Sequence, residues 1–350
     1  MVDYIIVGLG LAGISFCEVL EQKNKSFIVF DDESQHSSTI SGGLYNPVIL
    51  KRFTGVWKAE EQLELIKPFY NKIENKIGEE VNYKVSVLRR LASVEEQNAW
   101  FEAADKPKLQ PFISTKLVKN QNEYIDAGYN YGEVLKTGRV NTKNLQKLYR
   151  QYLINQGKFL AESFNYSSVT HYPDYVTYKS YKAKKIVFAE GYGIKNNPFF
   201  NYLPLNGTKG ELLTIYAPAL KINFVLKSSV FIMPVGNDFY RIGATYNWKD
   251  KTNIPTPEAR EELLTKLNTF LRCDYEITDH VAAIRPTVVD RRPIVGMHPQ
   301  HKNLYILNGL GSRGVMIGPF VANNLYSHIE KGIPLDKEMD IKRFDRKTVR

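Results

Sequence analysis

The chain opens on Val2 to Val7, an apolar-rich run of strand length that passes directly into Gly8-Leu9-Gly10-Leu11-Ala12-Gly13 and then into apolar residues at helical spacing. A second apolar run, Phe27-Ile28-Val29-Phe30, ends on Asp31 and Asp32. Leu63, Ile66, Phe69, Tyr70, Ile73 and Ile77 recur mostly in steps of three and four, which predicts a long helix. From there to Tyr131 the chain reads as mixed strands and loops. Another helix is predicted near Asn141 or Thr142, either of which can cap it, with Leu145, Leu148, Tyr149 and Tyr152 on one face and Gly157 at its end. Three strand-like runs follow, Lys158 to Phe164, Tyr175 to Lys179 and Lys185 to Ala189, the last entering Glu190-Gly191-Tyr192-Gly193. They are expected to extend a parallel sheet begun at the amino terminus.

From Gly210 to Tyr246 the texture changes to alternation, with strands expected over Glu211 to Tyr216, Asn223 to Pro234 and Phe239 to Thr245, forming an antiparallel sheet. A helix from about Pro257 to Phe270 presents Leu263, Leu264, Leu267 and Phe270 on one face and is expected to cover it. Near the end, Leu304 to Leu307 reads as a strand, followed by Asn308-Gly309-Leu310-Gly311-Ser312-Arg313-Gly314 and a helix through Phe320, Val321, Leu325, His328 and Ile329. A glycine-rich strand-to-helix turn therefore stands at both ends of the chain.

The first turn has the order of a dinucleotide cradle: strand, glycine loop, helix, strand, acid. Gly8 permits the tight turn, Gly10 lets the backbone approach a pyrophosphate, and Gly13 lets helix and strand pack closely. The helix amino terminus offers N–H groups and partial positive charge to phosphate. Asp31 falls 18 residues after Gly13, close to the ~20 expected of an acid that binds the ribose hydroxyls. A nicotinamide enzyme completes its site within a contiguous first half, whereas the second glycine turn here lies about 300 residues after the first.

Composition bounds the class. With 350 residues and 43% hydrophobic content, the chain can bury one large core or two connected ones. Cys17 and Cys273 give neither a metal spacing nor a disulfide framework, which suits the cytoplasm, and no segment reads as a signal sequence or a membrane span. The net charge of +10 is spread along the chain, with modest clusters at 181–185 and 342–347. It fits a lysine-rich surface and leaves anionic partners, RNA included, open. No metal spacing, Walker loop or GxSxG elbow is present, and His171, His280, His298 and His301 fall at unrelated spacings.

Four stretches resemble the FAD-dependent oxidoreductases of the D-amino-acid oxidase and glycine oxidase superfamily: the cradle with Asp31, Ser37 to Pro47, Gly207 to Leu212, and Ile284-Arg285-Pro286 through Asp290 to Gly296 and on to Gly309 to Gly314. The resemblance covers nearly the whole chain. It implies an α/β fold: a Rossmann-type FAD-binding domain, glutathione-reductase-like, from 1–50, 140–200 and 290–350, and a substrate domain on a mixed or antiparallel sheet from 51–139 and 201–289. Taken with the cradle, it assigns to non-covalent FAD Gly8, Gly10, Leu11, Ala12, Gly13, Asp31 and Asp32, then Ser38, Thr39, Gly42, Gly43, Leu44 and Asn46, then Gly191, and finally Gly309, Gly311, Ser312, Arg313, Gly314 and Val315. The last helix would point its positive end at the flavin and favour the reduced, negative form.

The resemblance also implies an enzyme that oxidises the C–N bond of a small amine or amino acid by hydride transfer to flavin, giving an imine that water hydrolyses, with oxygen or a carrier as electron acceptor. Arg285 stands where relatives pair bidentately with the substrate carboxylate, and Arg313 matches a position near the substrate. Glycine-oxidising relatives carry an aromatic hydroxyl where this chain has Phe231, so that contact is missing; Tyr240 and Tyr246 are the candidates to supply one. Two alternatives follow: a flavin enzyme acting on a carboxymethylaminomethyl group of a tRNA wobble uridine, and a non-catalytic flavoprotein whose bound FAD no amine reduces.

Overall fold

The computed structural model describes residues 1–347, so the last three positions of the expected 290–350 segment lie outside the described residues. Its first sheet is built around Val2–Val7, with Phe27–Phe30 and then Phe159–Leu160 parallel on one side and Tyr181–Phe188 parallel on the other. Leu304–Asn308 joins parallel to the far half of Tyr181–Phe188, in the register Ile186 to Leu304 and Phe188 to Ile306. Val2–Val7 is flanked on both sides and buried from Tyr4 onward, which is why it reads as a continuous apolar run without alternation. The helices Leu11–Gln22, Ala59–Ile77, Thr142–Asn155 and Gly314–Lys331 pack with one another beside this sheet. Phe69, Tyr70 and Ile73 are buried at that junction, each contributing about 1.5–3 kcal/mol.

The second sheet runs in the order Glu276–Arg285, Thr208–Tyr216, Phe239–Gly243, Phe231–Gly236, Val225–Lys227, Val87–Arg90, Tyr131–Val134, Ile113–Val118. All its pairs are antiparallel except Val225–Lys227 against Val87–Arg90. The helix Pro257–Asn268, capped by Thr256, lays Leu263 and Leu267 against Leu213, Ile215, Tyr240 and Ile242 on one face. A small third sheet joins Leu44–Tyr45 to Gly138–Val140 and that strand to Asn82–Lys84.

Five elements differ from the sequence reading. Of the run Lys158 to Phe164 only Phe159–Leu160 is strand, paired with Val29 and Phe30. Val176–Tyr178 pairs antiparallel with Tyr181–Ala183, because Lys179 turns the chain straight back in the left-handed region; the run does not extend the parallel sheet. Asn223 to Pro234 divides into two hairpin strands, Val225–Lys227 and Phe231–Gly236, around Ser228 and Ser229. Phe239 to Thr245 stops as a strand at Gly243. A helix, Val94–Ala104, stands in the stretch read as strands and loops, where the Ser93 side chain caps the Glu96 N–H at 3.2 Å and Glu96 accepts from Ala92 N–H at 2.9 Å.

Candidate active site

The glycine loop is fixed by contacts that exclude side chains. Gly8 has φ +96°, and a Cβ there would stand 2.7 Å from the Ala189 carbonyl oxygen. A Cβ on Gly13 would stand 2.0 Å from the Gly8 carbonyl oxygen. The helix that starts at Leu11 has neither a side-chain cap nor an acid in its first turn. Ser38 Oγ accepts from Leu11 N–H at 3.1 Å, bringing the Ser-rich loop against this helix end, and a Cβ on Gly10 would approach the same hydroxyl. Asp31 lies across the loop, accepting from Leu9 N–H at 2.6 Å and Glu33 N–H at 2.9 Å, with Arg150 at 3.8 Å. Burial pushes its pKa up against those hydrogen bonds. Asp32 turns to Ser34 N–H and Ser163 Oγ instead.

The far glycine turn meets the near one directly. Gly314 opens the last helix, where a Cβ would stand 2.8 Å from Leu11, and one turn on, Gly318 faces Ser15. The two helix amino termini therefore lie side by side. The second has Arg313 at its cap, no side-chain cap bond and no acid in its first turn. Val315 is buried, its carbonyl accepting from Tyr70 Oη at 2.8 Å, while Ser312 is exposed. Asn308 Nδ2 reaches the Gly191 carbonyl at 2.9 Å, and Gly191, Gly309 and Gly311 all have positive φ. Gly43 has φ +67° with the Val140 carbonyl against its missing Cβ, and Gly42 faces Met233. Thr39 bonds back to His36, Leu44 pairs with Arg139, and Asn46 accepts from Val48 N–H, so these three shape the loop locally. Two convergent helix termini, neither capped by the side chain of its own N-cap residue, a loop closed to side chains and an acid at its edge suit a dinucleotide with an anionic centre.

On the second sheet, Arg285 pairs in register with Thr208 and shares a face with Gly210, Leu212, Gly243 and Phe231. Its Nη1 donates to the Thr245 carbonyl at 3.2 Å, and its guanidinium lies 4.5 Å from the centre of the Tyr246 ring. Burial draws its pKa down, and Tyr246 acts in the opposite direction. Arg313 is drawn down by burial and by Arg291, again opposed by Tyr246. Among the described residues neither arginine has an acidic ion-pair partner; Asp290, in the same stretch of chain, pairs with Arg343 at 2.8 Å. The structure thus brings Arg285, Arg313 and Tyr246 into one neighbourhood. It does not bring Tyr240, which pairs with Ile215 and Pro234 on the opposite face, is only 3% exposed, and packs under the helix Pro257–Asn268. The strand alternation that turns Arg241 and Gly243 one way turns Tyr240 the other.

Lys227, not singled out by the sequence, lies with its ammonium 4.4 Å from the centre of the Phe231 ring. Burial, reinforced by Arg313 and Arg89, pulls its pKa down to about 8. A lone lysine inside an apolar hairpin was the available signal. Glu190 is a second such group: it follows Ala189 beside Gly8, accepts from Tyr166 Oη and Asn197 Nδ2, and burial lifts its pKa to about 7.

A family model described as FAD dependent oxidoreductase matches residues 3–326, and the chain belongs to that family. Its cofactor is accordingly FAD. A tRNA 5-methylaminomethyl-2-thiouridine biosynthesis bifunctional protein from Shewanella halifaxensis is 27% identical over 213 residues, covering 49% of this chain and 33% of that protein. Glycine oxidase from Bacillus subtilis is 25% identical over 144 residues, covering 39% of this chain and 38% of that protein. These matches span about a third of the curated relatives' length. The solved glycine oxidase of Bacillus cereus superposes with a TM-score of 0.78 at 19% identity, over 95% of this chain and 96% of that one, a likeness of fold. No helix among the described residues is long and apolar enough to cross a membrane, and none of their side chains form a group of three or more metal-type ligands.

Proposed function

We propose that the chain oxidises the C–N bond of a small amine that carries a carboxylate, an amino acid or a close analogue. The observation that carries this reading is Arg285: a half-buried guanidinium held by one backbone carbonyl and one aromatic face, without an acidic partner among the described residues, beside a second arginine at the helix end. A planar fork so placed matches a carboxylate in shape and charge. Bound FAD supplies the two-electron acceptor. Gly8, Gly10, Gly13 and Ser38 would hold its pyrophosphate, Asp31 its ribose, and the end of the last helix its flavin.

Within this proposal Arg285 binds the carboxylate, Arg313 adds a second positive charge, and Tyr246 keeps the Arg285 fork in plane. Phe231 and Met233 line the same sheet face with apolar surface, which limits water. The domain division at 1–50, 140–200 and 290–350 against 51–139 and 201–289 belongs to the same proposal, as does non-covalent attachment: Cys17 is buried inside the first helix and Cys273 in the outer core. Replacing Arg285 by alanine tests the assignment. Turnover of carboxylate-bearing amines should be lost while flavin stays bound, and loss of flavin instead would make the residue structural.

A second reading rests on the tRNA-modifying relatives and on Phe231, which leaves a glycine-type carboxylate one hydroxyl short. In that reading the secondary amine and its carboxylate are part of a modified tRNA uridine. Retention of tRNA that weakens steeply with salt supports it, and salt-independent or absent retention removes it.

A further inference from the structure

A second set of cations lies against the Ser-rich loop at Ile40 and Gly42. Arg139, from the strand Gly138–Val140, and Arg241, from the strand Phe239–Gly243, face one cavity of about 330 Å³ that Lys143, Asn141, Thr39 and Ser41 also line. No acidic side chain contributes to its wall. Arg139 donates to the Gly42 carbonyl at 3.3 Å and the Pro234 carbonyl at 3.4 Å, and Arg241 to the Ile40 carbonyl at 2.7 Å. These bonds fix both guanidinium groups and leave most of their N–H donors without a protein acceptor. Neither arginine forms an ion pair among the described residues; Asp279 is the one acid whose charge Arg241 feels, and it stays outside ion-pair distance.

We propose that this cavity is a phosphate site, taking inorganic phosphate or a phosphodiester of a nucleic-acid strand. Two half-buried like charges without a counter-ion are costly, and an anion between them removes that cost. Burial lowers the pKa of both, and the Arg241 charge adds to the effect on Arg139. A tetrahedral oxyanion suits the arrangement better than a carboxylate, because its donors come from three directions: two guanidinium forks from different strands, and the Lys143 ammonium at the start of the helix that Asn141 caps. The site is separate from the dinucleotide cradle. Ser38 faces the first helix, whereas the arginines grip Ile40 and Gly42 further along the loop. It does not depend on which amine is oxidised.

The test is calorimetric titration of inorganic phosphate into the FAD-loaded protein at low salt, comparing the parent with Arg139→Gln, Arg241→Gln and Lys143→Gln. Saturable binding is expected, weakened about tenfold or more by either arginine change and less by Lys143→Gln, with the flavin spectrum unaltered. Acetate should give no comparable heat. A single-stranded RNA oligonucleotide that displaces phosphate identifies the phosphodiester as the source of the group, and one that does not identifies free phosphate. Absence of saturable phosphate binding, equal affinity in all four proteins, or acetate binding as well as phosphate would overturn the proposal. Lys143 is exposed, so Lys143→Gln remains a valid arm even where an arginine variant fails to fold.

Discussion

Adding one methyl group at Gly210 perturbs the proposed carboxylate anchor without altering its side chain. Gly210 sits in the strand Thr208–Tyr216 opposite Ala283, in a backbone conformation open to alanine. The new Cβ would stand 1.9 Å from Arg285 Nη2, whereas ordinary contact begins at 3.4 Å, so the guanidinium must retreat by about 1.5 Å. The three nearest atoms all belong to the Arg285 guanidinium, the mobile end of a long side chain, so the sheet can stay as it is. The bond from Arg285 to the Thr245 carbonyl is already 3.2 Å and has little room to lengthen. A hydrogen bond to a charged group is worth about 1.5–3 kcal/mol, so misplacing the fork should lower kcat/KM for a carboxylate-bearing amine about 10- to 100-fold. The assay is anaerobic flavin reduction by that amine and by the same amine without its carboxylate. Gly210→Ala should slow the first and spare the second, with flavin content unchanged. An FAD-loaded variant that reduces as fast as the parent would refute the role given to Arg285.

Three further outcomes are expected. Gly13→Ala forces a Cβ against the Gly8 carbonyl oxygen and should abolish FAD retention, measured as bound flavin per chain after desalting; full retention would contradict the cradle. Glu190, raised from 4.5 to about 7 by burial, holds its proton more tightly folded than unfolded, so its contribution is complete below about 4.5 and is lost as pH rises through 7. That is on the order of 3 kcal/mol, and Glu190→Gln should flatten the fall of Tm between pH 5 and 8; an equally steep fall in the variant would place its cause elsewhere. Arg313→Ala should slow flavin reduction by carboxylate-bearing amines more than reduction by dithionite, and equal slowing of both would show an effect on the flavin alone.

The nucleotide end of the fold was legible because its requirements are local and backbone-borne. Gly8 and Gly13 sit where a Cβ has no space, and such positions declare themselves as glycine whatever the rest of the chain does. The meeting of Gly314 with Leu11 was not legible, since nothing local connects residues so distant, although the two similar turns hinted at it. Tyr240 was misplaced for a reason of parity: a strand turns alternate residues to opposite faces, and a position's face follows only once register is known. Tyr246 escaped that constraint because the strand ends at Gly243, which frees the following residues to bend toward Arg285. The helix Val94–Ala104 carried its signal in Ser93 and Glu96, a capping pair that outweighs its weak apolar periodicity. Arg139 and Arg241 look ordinary in sequence; only the strands' register and the shared loop bring them to one cavity.

The most direct measurement is the absorption spectrum of the purified, FAD-loaded protein mixed without oxygen with a panel of carboxylate-bearing primary and secondary amines. The account predicts that at least one bleaches the flavin band, and that the same amine without its carboxylate does so far more slowly. A flavin band that no amine of the panel bleaches, although dithionite does, would contradict it.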